Sequence, residues 1–525
     1  MFLVDGDRRQ AGRAAATDLE ALIEEARRRT RRRRRKRAII GALAVLAAVV
    51  GYALASGGDT PGVRAETAAT PFADVRAFSG HGELAFVSRG ALWVLDGERA
   101  TLRRLPVPRG LTPGSPVFSR DGRWLAWIAG DPSGDPGQLW LARGDGRGAQ
   151  RVHGVGVAGL VGWDPAANVL AVTSGRGQSF TRFGAATTVE LVEPTGSVRT
   201  LASTPARLVP SLRIEDAVWS PDGRAMAVSI QGDGGATVRS YPLAGGAPVT
   251  WFRIRSDQTL PGICSSGCGG TGLIADLEGW WPRWGIAFWA YCCGATRNLD
   301  DTPLEVLTAP GARPHLIART LSLGITDAVA AGRGGELSLV ATTSGAGRVY
   351  SQGKVVETCA RSTLTCTRLP GDTVWFGKTP MLPCLGLCGQ AQSPPPGTPG
   401  SAVSLEPAWS PSGSQLAYVL APTTPSDLQT PAWYAAHELV VWNPRTGSRR
   451  KLASVSGASV PTWSRDGRDL LYVSGDGLWL APASGGKPVE IERPLFPERI
   501  WKAPPLTISF NGQIHWTGQF SWSSP

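Results

Sequence analysis

Charge is scarce in this chain and histidine scarcer still. Charged residues make up 18% of the 525, and the five histidines are His81, His153, His315, His437 and His515. None of the five has a His, Cys or carboxylate neighbour at metal-ligand spacing, so no motif for a metal centre is present. G-x-S-x-G does not occur, and no α/β stretch of about 200 residues is left over to house a nucleophile elbow. Cysteine is absent before Cys264, so no lipid-bearing cysteine stands near the N-terminal segment. These gaps leave no catalytic residue, no metal and no cofactor to assign, and an enzyme is not the first expectation.

What the chain does have is turns and indoles. It carries 66 Gly, 41 Pro and 20 Trp. Many turn residues, few charges and many aromatics suit an all-β chain of short strands. A single core does not grow to this length, but a repeat fold can, because each unit packs on its neighbours alone.

The net charge of +12 is uneven. Residues 1–37 hold 13 basic and six acidic residues, or +7, which leaves +5 for the other 488. The high pI is therefore a property of a terminal tail, and no nucleic acid is expected on the main body. Within the tail, residues 17–29 read as a short helix, with Thr17 and Glu20 at capping-box spacing and arginines at its end. Arg29 to Arg37 is almost entirely basic, and Ala38 to Ala55 follows with 18 residues free of charge. At about 1.5 Å per residue this just spans a hydrocarbon core of about 30 Å.

A basic cluster directly before an apolar span stays on the cytoplasmic side. The expectation is a single-pass cell-membrane protein with residues 1–37 as a cytoplasmic segment, a transmembrane helix over 38–55 and the rest extracytoplasmic. Ala53-Leu54-Ala55 also suits a signal-peptide cleavage site, so cleavage is the alternative. Residues 56–72 form a small, polar, Pro-containing linker.

From residue 73 onward one phrase keeps returning. It reads FSRDGRWLAWIAG from Phe118, WSPDGRAMAVSI from Trp219, WSPSGSQLAYVL from Trp409 and WSRDGRDLLYVSG from Trp463, with a degenerate GWDPAANVLAVTS from Gly162. Pro presets the turn, Asp accepts backbone N–H groups and Gly takes positive φ. The strand after it is apolar on both faces, as in a sheet packed between sheets. The aromatic ahead of the Ser fills the gap between repeats.

Copies recur every 40 to 56 residues where insertions are short, the spacing of four-stranded propeller blades. Eight units can be counted. Units five (from Gly279) and six (from Gly335) depart most, which makes seven the alternative. The first unit, from Val75, reads as a meander of four strands. The C-terminal strands, GQIHWTG or QFSWS, are expected to pair near the first blade and close the ring.

This phrase resembles the TolB-type repeat, also called PD40 or WD40-like, over about residues 75–525. The resemblance implies a bacterial, extracytoplasmic β-propeller that binds a protein or a cell-envelope ligand on one of its faces. The N-terminal α/β domain of TolB itself has no counterpart here; a basic arm and an apolar span stand in its place.

All eight cysteines lie in the part placed outside the membrane, where an even count argues for disulfides. Cys359 and Cys366 flank ARSTLT in a hairpin-like run and are expected to pair. Cys384 and Cys388 are candidates for a small closed loop. Cys264 and Cys268 are expected to bridge to Cys292 and Cys293, in an order that spacing leaves open. Four thiolates could bind zinc, but adjacent cysteines fit one tetrahedral ion poorly.

Asp131 and Asp135, in GDPSGDPG, supply too few oxygens for Ca²⁺ and read as a turn. Two insertions remain, at about 253–293 and 371–405. The first holds Trp280, Trp281, Trp284 and Trp289, either the core of blade five or an exposed binding surface. Two other functions stay open: an extracytoplasmic hydrolase or lyase on a propeller scaffold, and a transmembrane signalling protein working through residues 1–37. Oligomeric state is not legible.

Overall fold

The computed structural model describes residues 70–130, 137–175, 186–204, 212–232, 235–255, 258, 273–292, 302–320, 329–342, 353–369, 402–423, 431–495, 516 and 518–524. The basic segment and the 38–55 span lie outside them. Among the described residues no helix is long and apolar enough to cross a membrane, and the one helix is the five-residue Pro431–Ala435.

The described strands are antiparallel and fall into eight four-stranded groups. Seven of the eight begin with an innermost strand: Thr112–Phe118 for blade two, the second half of Gln150–Trp163 for blade three, Arg213–Trp219 for blade four, Leu273–Trp281 for blade five, Val329–Ala331 for blade six, Ala402–Trp409 for blade seven and Ala458–Trp463 for blade eight. Blades two and three share one long strand, bent at Val157, which pairs outward before that residue and inward after it. Blades five and six join through the single pair Thr320↔Ala341.

Blade one departs from the four-strand meander read in the sequence. Residues 75–80 form turns. The chain from Glu83 to Arg104 supplies three strands, and the fourth is Phe520–Ser523, laid against Glu83–Ser88 with Leu84 opposite Trp522. In blade four the phrase pairs Trp219 with Met226 in the same way. The eighth copy of the phrase is thus split: Trp522-Ser523 supplies its beginning and Gly82-Glu83-Leu84-Ala85 its continuation. Of the two strands suggested for closure, QFSWS is the one that closes. A second tie lies at the rim, where Phe72–Ala73 pairs with Val489–Arg493 of blade eight. Closure leaves Glu83–Ser88 with a partner on both edges, where a bare edge would invite aggregation.

The second strand of each blade is buried on both faces. In Glu83–Ser88 every residue after Glu83 is buried, and in Leu416–Pro422 the first four are. The hydrophobic core follows the ring as a chain of clusters between neighbouring sheets, such as Ala417, Leu439, Trp463 and Tyr472 between blades seven and eight. A repeat fold has no single centre, so stability comes from blade-to-blade interfaces.

Candidate functional site

The phrase turn is a closed hydrogen-bond unit in which serine does most. In blade four, Ser220 Oγ donates to Asp222 Oδ1 at 2.7 Å and accepts the Ala225 N–H at 2.9 Å. Asp222 Oδ1 also accepts the Arg224 N–H at 3.1 Å, and Gly223 donates to the Ser220 carbonyl with φ at 70°. Blades two and eight repeat the set through Ser119–Asp121 and Ser464–Asp466. Serine and the turn's backbone hold Asp222 and Asp466 below the usual carboxylate range; Asp121 is held low against its burial first by the Asn168 amide at 3.0 Å and then by Ser119 and the turn. In blade seven Ser412 stands where Asp would, and Ser410 still accepts the Gln415 N–H at 3.0 Å.

The aromatic ahead of the serine is more than a filler. Trp163 Nε1 donates to the Val117 carbonyl at 3.0 Å, Trp219 to Gly162 at 2.9 Å and Trp463 to Ala408 at 2.9 Å. Each of these acceptors sits one residue before the aromatic of the preceding blade, so these three indoles latch their blades to the last; Trp522 of blade one instead donates to the His81 carbonyl of its own turn at 2.8 Å. The composition of the phrase gave no hint of this bond. Trp409 breaks the series: blade six carries Ala331 at the aromatic position, and the Trp409 Nε1 finds no acceptor.

A four-stranded antiparallel meander sends its connections alternately to two ends, and here the two ends differ in kind. At the phrase-turn end the connections are short, such as 164–169, 220–224, 361–364 and 443–448. At the other end lie the facing strand ends of Val249–Arg255 and Leu273–Trp281, Leu337–Thr342 and Lys354–Ala360, Thr365–Arg368 and Ala402–Trp409, and Leu416–Pro422 and Glu438–Trp442, each pair separated by a long stretch of sequence. All the long connections start and finish at that one end. Strands account for 273–292 and for 402–409, so the two insertions are shorter than the sequence pattern suggested: alternation in LIADLEGWW is masked by its small and acidic residues.

The residues singled out in the sequence scatter. Cys359 and Cys366 face each other across the Lys354–Ala360/Thr365–Arg368 hairpin and form a disulfide, with Cα atoms 3.9 Å apart. Cys264, Cys268, Cys293, Cys384 and Cys388, the Cys292 side chain, and Asp131 and Asp135 lie outside what is described. Trp284 and Trp289 are 1% exposed and pack between blades five and six. Trp280 is half-buried, edge-on to Trp251 at 5.0 Å, and Trp281 lines the same core as Trp284. Trp284 and Trp289 thus belong to the packing of blade five, while Trp280 and Trp281 stay partly exposed.

Buried ionisable groups occur in separate blades. Glu305, in the third strand of blade five, is fully buried with no partner for either oxygen, and burial raises its pKa to about 7. Burial likewise pushes Glu492 of blade eight well up. His437 stacks edge-on to Trp433, contacts the Ala458 carbonyl through Nδ1 at 3.1 Å, and is held neutral by burial, with its pKa lowered to about 3. Among the described residues no three His, Cys, Asp or Glu side chains are grouped to hold a metal.

No family model matches the chain, and no curated protein matches it in sequence. Solved structures resemble it in part, at low TM-scores. A putative TolB from Agrobacterium tumefaciens is 14% identical, covering 57% of this chain and 88% of its own, with a TM-score of 0.27. Oligogalacturonate lyase from Vibrio parahaemolyticus is 10% identical, covering 78% and 97%, at a TM-score of 0.40. A prolyl endopeptidase is 14% identical over 78% of this chain, which spans 55% of that protein's length, also at 0.40. Likeness at this level carries no argument about chemistry, and the fold rests on the chain's own repeats and sheets. Its own repeats, sheets and split copy of the phrase make this chain a β-propeller, whose repeat phrase resembles the TolB type.

Proposed function

We propose that this chain is a membrane-anchored, extracytoplasmic binding module, and that the long-connection end of its propeller takes a protein or cell-envelope ligand. The observation that carries the reading is the sorting of connections: every long one opens at the same end, while the phrase turns at the other are short and internally bonded. Variable loops on a rigid scaffold are a usual seat of recognition. The anchor rests on the basic run Arg29 to Arg37 directly before the uncharged Ala38 to Ala55.

Two experiments test the two halves. Alkaline phosphatase fused after Ser56 should be active, and an inactive fusion overturns the topology. Crosslinking of intact membranes followed by affinity capture of the full chain should recover a partner. A chain that exchanges its long connections for two-residue turns should lose that partner; retention sinks the binding-end assignment.

A further inference from the structure

The ring closes without a covalent bond at one place, inside blade one. The chain runs on from blade eight into Phe520–Ser523, and from Glu83–Ser88 through blade one into blade two. Closure is therefore the pairing of those two strands. Several contacts support it. Phe72–Ala73 pairs with Val489–Arg493, Val87 N donates to the Gln519 carbonyl at 2.8 Å, and Trp522 Nε1 donates to the His81 carbonyl at 2.8 Å. All of these are hydrogen bonds between neutral groups, which ordinary changes of pH leave alone.

One contact across the closure is of another kind. His81 stands just ahead of Glu83–Ser88, on the N-terminal side. Its Nδ1 lies 3.6 Å from Asp469 Oδ2, at the start of the second strand of blade eight. Both side chains are largely shielded, at 29% and 21% exposure. A separation of 3.6 Å is too long for a hydrogen bond between neutral partners. The two groups attract only while the imidazole carries a proton, and histidine is the side chain that gains and loses its charge between about pH 5 and 8. The ion pairs of the phrase turns differ in this. In Arg468–Asp466, at 3.4 Å, the cation is an arginine, which stays charged throughout that range.

The other charged groups near the pair are few. Burial raises the Asp469 pKa; His81 lowers it, Asp466 raises it and Arg468 lowers it. Asp466 and Arg468 are already joined to each other. On the histidine side the Phe78 ring, 5.9 Å away, carries no charge. Glu83, two residues on, has Asp96, Glu98, Asp145 and Arg99 around it. Glu492 of blade eight, beside Ser88 and with Asp476 and Glu490 near, is a further titrating group at the closure.

We propose that His81 and Asp469 form a proton-operated clasp on ring closure: the protonated imidazole draws blade one onto blade eight, and loss of that proton releases it. The closing strands are then held more tightly in mildly acidic surroundings than in alkaline ones. The clasp needs only the closed ring, so it stands or falls independently of the binding role proposed above.

Hydrogen exchange of the full chain, read by mass spectrometry at about pH 5.5 and about pH 8 and corrected for the intrinsic rate at each, tests it. The readout is the protection of Phe520–Ser523 and Glu83–Ser88. Arg213–Trp219 and Ala225–Gly232, the same strand pair in the unsplit blade four, serve as internal reference. At about pH 8, where an imidazole is ordinarily neutral, wild type and His81→Gln should protect the closing strands equally. That equality shows that the variant closes the same ring. At about pH 5.5 His81→Gln should protect them about two- to fivefold less than wild type, and Asp469→Asn should do the same. Glu492 titrates in all three proteins, so its effect cancels between them. Equal protection of wild type and His81→Gln at the lower pH, or a deficit of the same size at both, overturns the proposal.

Discussion

Glu305 is the sharpest point at which physical chemistry bears on this molecule. Its carboxyl sits in the third strand of blade five, between Leu304 and Val306, fully buried and without a partner. Burial raises its pKa from 4.5 to about 7. The folded chain therefore holds this proton more tightly than the unfolded chain does. Its penalty is absent below about pH 4.5 and grows as pH rises, reaching its full size above about pH 7 at roughly 3 kcal/mol. Glu305→Gln keeps the shape of the protonated acid and removes the titration. At about pH 8 the variant should be more stable than wild type by roughly 2–3 kcal/mol. At about pH 4.5 the two should agree within about 0.5 kcal/mol. His437 titrates the opposite way, destabilising the fold as pH falls below 6.5 toward about 3. Its contribution cancels when the two proteins are compared at each pH. Urea midpoints measured by tryptophan fluorescence from about pH 4.5 to about pH 8 give the comparison. Parallel curves for variant and wild type would refute the reasoning.

Other predictions concern the ring. Trp463→Phe keeps a ring between blades seven and eight but deletes the 2.9 Å bond to Ala408, and should cost about 1 kcal/mol. Trp409→Phe, which has no such bond to lose, should cost measurably less in the same denaturation assay. Cys366→Ser opens a hairpin that spans seven positions and should lower stability by about 2 kcal/mol at most, with the native tryptophan spectrum retained in the folded state. A chain stopped after Gln519 leaves Glu83–Ser88 with one bare edge; light scattering should show it aggregating at concentrations where the full chain stays monodisperse.

Much of the scaffold is legible in the residues because each blade rewrites the same local physics. Trp219 to Val228 and its copies announce a turn and a doubly buried strand, and their spacing gives four strands per blade. Blade one is the exception: Leu84 pairs with Trp522 across 438 positions and Glu83 with Ser523 across 440, and no local pattern links them. The Cys359–Cys366 pair was readable because a short hairpin fixes its own register. The indole latches were not, since the acceptor is a backbone carbonyl 46 to 57 residues away.

The aromatic run of blade five was legible only as an alternative between core and surface, and Trp284 and Trp289 fall to the core.

The binding-end assignment is tested most directly by placing a photocrosslinking amino acid at one position per variant of the full chain in its native membrane. Gln258 and Thr423 mark the end with the long connections, and Arg224 marks the phrase-turn end. Discrete adducts from Gln258 and Thr423, with none from Arg224, are the predicted result. Adducts from Arg224, with none from Gln258 or Thr423, would contradict the account.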